Sequence, residues 1–361
     1  YQTAAAYQQV LYKYERPTVN QAMITHQALT LAEQQAEADR LALDDIVGPM
    51  SRAGLYHTLL DEWLPPICQS PDPQTKAEAL GQQGKQLLHI ADYDTALDFL
   101  KQSLAIQKEI GDKSGEGTTL NNISQIYDAR GDYDTALDFL KQSLAIQKEI
   151  GDKAGEGTTL NNMATTAHAR GDYDTALDFL KQSLAIQKDI GDKSGEGTTL
   201  NNISGIYRAR GDYDTALDFL KQSLAIQKDI GDKSGEGTTL NNISQIYDAR
   251  GDYDTALDFL KQSLAISQDI GDISGLCATL FNMGHIHWQN EEQQEALGAW
   301  VAVYQLAKPR GLSQALQALE SLAGQLVEDG GLALWEGLSQ QISQGMGEDT
   351  TLHQSIGQTL D

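Results

Sequence analysis

The sequence predicts an all-α solenoid built from stacked antiparallel helix pairs. Three observations carry this. Four blocks, 111–150, 151–190, 191–230 and 231–270, align without a gap at a period of 40. A repeat of 20–50 residues is the signature of a solenoid, propeller or array. Each block holds two stretches with apolar residues at helical spacing, broken by a glycine. No stretch alternates apolar and polar residues as a half-buried strand does, which excludes a propeller.

Read in order, residues 1–37 suggest two helices broken near Pro17. A degenerate helix pair follows, with Leu43, Ile46, Val47 and Met50 on its first helix, then Gly54, Tyr56, Leu59 and Trp63. Gly48 and Pro49 are expected to kink or stop the first of these helices, and Pro65 and Pro66 to end the second. A half-copy precedes the full repeats: 92–110 is identical to 132–150. Within a repeat, Leu120, Ile123, Ser124 and Tyr127 share one face of the first helix. Tyr133, Ala136, Leu137, Leu140 and Leu144 share one face of the second. Asp132 is a candidate N-cap and Gly151 a candidate C-terminal stop. A degraded copy spans 271–307. An amphipathic helix over 312–326 and a short one over 332–342 come next. The expected organisation is an N-terminal helical cap with a degenerate unit (1–74), six units of about 40 residues (75–307), C-terminal capping helices (308–344) and a polar tail (345–361).

Composition narrows the function. The net charge of −25 argues against sequence-independent binding to nucleic acid or to an anionic membrane. It favours a basic partner, although acids that merely solvate the outer face of a helical array would give the same excess. No run of about 18 apolar residues offers a membrane span. Cys68 and Cys277 make no disulfide framework, so a reducing, cytoplasmic setting is expected. The chain begins at Tyr1 and is read as part of something longer.

Leu120, Ile123, Ser124, Tyr127, Gly131, Tyr133, Ala136, Leu140 and Ser143 resemble the tetratricopeptide (TPR) signature. The longer unit, with its GDKSGEG…LNN wording, is similar to the TPR arrays of kinesin light chains and of the Pins/LGN spindle adaptors. The resemblance implies a right-handed superhelix whose first helices line a concave groove. The stretch from Leu276 also resembles the ends of TPR arms that follow a STAND-type NTPase in large bacterial proteins. The chain itself carries no Walker A sequence.

That resemblance gives meaning to paired asparagines in the middle of each first helix. Asn is roughly 0.5–0.7 kcal/mol worse than Ala in a helix. Yet Asn121–Asn122, Asn161–Asn162, Asn201–Asn202 and Asn241–Asn242 recur, and Asn282 continues the second column. On a helical wheel Asn122 and Gln125 point away from the core face, with Asn121 and Asp128 flanking them. By resemblance, such amides hold the backbone of an extended peptide in the groove. The alternative is that they bridge neighbouring repeats. The four copies differ at ten columns, six of them consecutive, 123–128. The groove columns there read Gln125, Thr165, Gly205, Gln245 and Asp128, His168, Arg208, Asp248. Such clustering suggests a surface tuned for recognition, or drift in one altered copy.

Nothing in the sequence frames catalysis. His285 and His287 point in different directions on one helix, so a metal pair is not expected. His287, Trp288 and Trp300 are read as core or cap residues. No nucleophile motif is present. The expectation is a non-catalytic module without cofactor or metal. It would bind a protein or extended peptide, as scaffold or sensor arm of a larger bacterial signalling or defence protein. A structural spacer or self-associating arm is one alternative, and the regulatory part of an NTPase whose catalytic domain lies outside the chain is another.

Overall fold

A computed structural model describes residues 19–327 and 330–343. Among the described residues there are helices and turns and no strand. The chain divides into two compact units, 1–162 and 163–361, with the boundary inside one helix.

The first unit begins with α1 (Val19–Leu31) and α2 (Gln35–Leu41). The helix expected before Pro17 lies outside the described residues, as does the polar tail. A π-helical turn (Ala42–Ile46) leads from α2 into α3 (Val47–Arg52). Gly48 and Pro49 therefore do not stop this helix. Pro49 lacks an N–H and its ring would crowd the carbonyl four residues back. The wider turn immediately before it re-routes those bonds. The partner helix repeats the device. After Gly54, α4 (Tyr56–Thr58) opens through a second π-turn (Leu59–Trp63) into α5 (Leu64–Ile67), which carries Pro65 and Pro66 and ends one residue later. Ile46, Leu59, Leu64 and Ile67 are essentially inaccessible and form this cap's core.

Helix pairs follow in tandem: α6 (Pro73–His89) with α7 (Tyr93–Ile110), α8 (Lys113–Ala129) with α9 (Tyr133–Ile150), and the start of α10 (Lys153–Ala169). The second unit continues from α10 with α11 (Tyr173–Ile190), α12 (Lys193–Ala209), α13 (Tyr213–Ile230), α14 (Lys233–Ala249), α15 (Tyr253–Ile270), α16 (Ile273–Gln289) and α17 (Gln293–Ala307). Two capping helices close it, α18 (Ser313–Leu326) and α19 (Leu332–Ser343). These two helices lie within a residue of the stretches 312–326 and 332–342 that the sequence suggests.

The local code is the one the sequence suggests. Asp132 accepts from the Thr135 N–H, satisfying an otherwise orphan donor of α9. Gly151 ends α9 in the left-handed region at φ +71°, and the Asp152 N–H closes back onto the Gln147 carbonyl. Ala136 and Leu140 are fully buried, and Tyr127 stacks on Phe139 at 5.4 Å. Burying one such leucine contributes about 1.5–3 kcal/mol. Some of the acids have structural partners: Glu116 is buried but paired with Lys113 at 3.0 Å, and Arg130 reaches Asp94 of the preceding pair.

The C-terminal cap turns on one exchange. Where earlier repeats have leucine (Leu260), α17 has Trp300, fully buried, its Nε1 donating to the Phe281 carbonyl at 3.1 Å. The facing small residue is Gly284 in place of Ser244, and a Cβ there would sit 2.3 Å from the Trp300 ring nitrogen. Trp300 then meets Trp335 of α19 edge-on at 6.0 Å. Gly284→Ala is therefore expected to destabilise the C-terminal unit by about 1–3 kcal/mol, the usual cost of overpacking. Urea unfolding followed by tryptophan fluorescence would register it.

Cys68 and Cys277 are free and buried. Burial pushes their thiols up to about 12 and about 11 respectively. Both are expected to stay silent to a thiol reagent at pH 8 in the folded protein and to react once it is unfolded in urea.

Candidate recognition surface on the first helices

The paired asparagines divide the work. Asn121, Asn161, Asn201 and Asn241 are only 7–8 % exposed. In the first unit Asn121 Nδ2 donates to Ser143 Oγ at 2.9 Å and to Thr159 Oγ1 at 2.8 Å. Ser143 in turn donates to the Gly117 carbonyl, and Thr159 to Gln147 Oε1 at 2.6 Å. Asn162 Nδ2 then donates to Asn121 Oδ1 at 3.2 Å. The second unit repeats the arrangement: Asn201 reaches Ser223 and Thr239, Thr239 reaches Gln227, and Asn242 closes onto Asn201 Oδ1 at 3.3 Å. Asn282 does the same to Asn241 at 2.7 Å. One asparagine thus touches its own pair through serine and the next pair through threonine.

This revises the reading of the first column. Its amides do not lie open on the groove surface but are committed inside the stack. The second column, Asn122, Asn162, Asn202, Asn242 and Asn282, is half-buried and edges the surface. Serine, threonine and glutamine are invariant or nearly so across the copies, and that was the available signal for the network. Taken singly, each has an ordinary alternative role on a helix.

The variable columns reach the surface. Gln125, Thr165 and Arg208 are exposed, whereas Gln245, Asp128, His168 and Asp248 are half-buried. In the second unit Thr165, His168, Asn202, Gly205, Arg208 and Asn242 line one open cleft floored by Leu180, Leu220 and Ile246. Two changes remove bulk, Thr165 and Gly205 where other copies have glutamine. Two change charge where others have aspartate: His168 removes the negative charge and Arg208 reverses it. Arg208 makes no ion pair among the described residues, while Arg210 and Arg250 pair with Asp174 and Asp214. Burial, and then Arg208, hold His168 below the usual histidine range. Farther along, burial raises the Asp248 carboxyl despite His285 beside it, and Asp248 Oδ1 is buried without a hydrogen bond. His285 is itself held low by burial, an effect that Asp248 opposes.

The remaining candidates for chemistry are structural in their surroundings. His287 Nδ1 lies 2.5 Å from Glu292 Oε2, at the position where other repeats have a capping aspartate. Trp288 lies 5.8 Å from the Trp300 ring. Among the described residues no group of three His, Cys, Asp or Glu could hold a metal ion, and no helix is long and apolar enough to cross a membrane.

The sequence profile described as "Tetratricopeptide repeat" matches residues 75–149, 155–229, 195–269 and 236–299, well over half of the chain. The chain belongs to the tetratricopeptide repeat family. No curated protein matches it. Among solved structures it is similar to a Rap protein complexed with competence and sporulation factor, at 16 % identity and a TM-score of 0.56, covering 81 % of this chain and 77 % of that one. It is also similar to the apo form of RapI, at 12 % identity and 0.54, covering 81 % and 99 %. A third likeness is to a STAND signal-transduction ATPase with a TPR sensor from Pyrococcus horikoshii, at 18 % identity and 0.53, covering 83 % of this chain and 47 % of that one. At these identities the likeness is one of fold, an all-α TPR solenoid.

Asn201→Ala is expected to cost about 1–3 kcal/mol, because it leaves buried hydroxyl and amide groups unpaired. Gln125→Ala, on the exposed column, is expected to stay within about 0.5 kcal/mol of the parent. Chemical denaturation of the two variants side by side separates the structural column from the surface column.

Proposed function

We propose that this TPR protein is a non-catalytic module that binds a protein or an extended peptide along its first-helix groove. We infer further that it is the scaffold or sensor arm of a larger bacterial signalling or defence protein in the cytoplasm. The observation that carries the reading is the cleft of the second unit. Departures from an otherwise repeated sequence converge there, open space between the first helices and place an arginine without an ion pair beside Asn202 and Asn242. Amides that edge an open cleft match the donor and acceptor a peptide backbone presents. Arg208 and His168 add a place for an acidic group, even though the overall charge of −25 favours a partner that is basic elsewhere.

The fold likeness to a Rap protein held with a competence and sporulation factor supports a groove that takes a peptide. The likeness to a TPR sensor that is part of a longer STAND ATPase supports an effector domain outside this chain. A second reading, a spacer or self-associating arm, draws on a different feature. Ile190, Ile230 and Ile270 end successive second helices and are 40–41 % exposed, a periodic apolar row outside the groove.

The test is a pull-down from the source organism's lysate read by mass spectrometry. The baits are the parent chain and a variant carrying Thr165→Gln, His168→Asp, Gly205→Gln and Arg208→Asp, which restores the common residues at columns 125 and 128. A partner captured by the parent and lost by the variant, with helicity and melting unchanged, is the expected outcome. Identical captures, or none, would transfer the function to the isoleucine row or to a spacer.

A further inference from the structure

The first helix pair breaks the asparagine network. Aligned at the 40-residue period, α6 has Gly81 and Gln82 where later first helices have the paired asparagines. The partners that such an asparagine would satisfy are nonetheless all present. Ser103 takes the place of Ser143 and donates to the Ala77 carbonyl at 2.7 Å, as Ser143 does to Gly117. Thr119 takes the place of Thr159, Gln107 that of Gln147, and Asn122 that of Asn162.

Three of these are left without side-chain partners. Gln107 is 5 % exposed, and its Oε1 is buried with no hydrogen bond. Thr119 is 2 % exposed, and its hydroxyl makes no hydrogen bond among the described residues. The Asn122 amide, whose counterparts donate to Asn121, Asn201 and Asn241, likewise makes none. Leaving a buried polar group unpaired is unfavourable. Gly81, Gln107, Thr119 and Asn122 all line one cleft of the first unit, which Gln82 and Lys85 border. Gly81 is half-exposed, so the place is reached from the surface.

We propose that this cleft is a carboxamide slot. It takes the side-chain amide of an asparagine or glutamine presented by an extended peptide, in the position that Asn121 and Asn201 fill from within the chain at later junctions. The ligand's NH₂ group donates to the Thr119 hydroxyl, whose own proton turns to Gln107 Oε1. The ligand's carbonyl accepts from the Asn122 amide. A carboxylate offers no donor to this set, and a leucine offers neither donor nor acceptor. The slot rests on the reading that the first-helix face binds an extended segment, but it lies on the first unit, apart from the cleft that reading is tested on.

The experiment is saturation-transfer NMR on the full chain with blocked pentapeptides, Ala-Ala-X-Ala-Ala with X as Asn, Gln, Asp or Leu. Three proteins are compared: the parent, Gly81→Asn, which installs the amide, and Gly81→Ala, which adds only its first carbon. The expected result is saturable transfer to the Asn or Gln peptide, at least tenfold weaker for Asp and Leu. That transfer is kept by Gly81→Ala and lost by Gly81→Asn, and Gly81→Asn melts no lower than the parent. The Asn and Gln arms tell which side-chain length fits. Equal transfer to Asn and Leu, no saturable transfer to either amide peptide, or binding retained in Gly81→Asn would overturn the slot. None of these outcomes depends on whether the lysate experiment finds a partner.

Discussion

The structure depends on a buried amide that cannot be left unpaired. Asn121 and its counterparts weaken the helix they sit in by roughly 0.5–0.7 kcal/mol each. Each then makes several hydrogen bonds worth about 0.5–1.5 kcal/mol apiece. The balance favours the stacked arrangement, and it does so only in one register. Apolar contacts between helix pairs are non-directional and tolerate a slide. A hydrogen bond from Asn121 to Ser143 on one side and Thr159 on the other does not. The hydrophobic positions give the stack its cohesion, and the asparagine fixes where each pair sits on the next.

This explains which residues vary. A side chain inside the network has three or four obligations, so a change at one position strands the others. The first asparagine, the serine of the second helix and the threonine of the next first helix are therefore identical in all four full copies. Columns 125 and 128 carry no such obligation in the network. Their divergence to Thr165, Gly205, His168 and Arg208 alters the surface without disturbing the stack beneath. A scaffold of this kind can acquire a local recognition surface at small energetic cost, because the network and the cleft use adjacent faces of the same helix.

The architecture was legible in the sequence because its causes are local. The period, the capping aspartates, the terminal glycines and the apolar spacing each act within a few residues. The site was legible in part. The helical wheel places Asn122 and Gln125 away from the core, and the structure leaves Gln125 exposed and Asn122 half-buried. It places Asn121 on their flank, and a flank position on a wheel is decided by what the neighbouring pair brings against it. Here Ser143 and Thr159 close over it, and the wheel of a single helix contains no information about either. Pro49 failed as a stop signal for the same reason, whereas Pro65 and Pro66 do end their helix: Pro49 is tolerated because a π-turn precedes it, and that turn has no composition of its own.

The two ends of the array show how a repeat is terminated. At the C-terminal end the interface is rewritten in apolar terms. Trp300 fills space that Leu260 leaves to Ser244, Gly284 yields room for it, and Trp335 covers the remainder. The asparagine ladder also ends there, since Asn282 still donates back to Asn241 but no further repeat asks anything of it. At the N-terminal end the opposite choice is made. Gly81 withdraws the asparagine while Gln107, Thr119 and Asn122 remain as the network left them. A junction intended merely as a boundary would be expected to lose its polar members along with the amide that joins them, as the tryptophan cap does. Retaining the acceptor and the donors at an edge open to the surface keeps the hydrogen-bonding logic of the repeat available to a group from outside the chain.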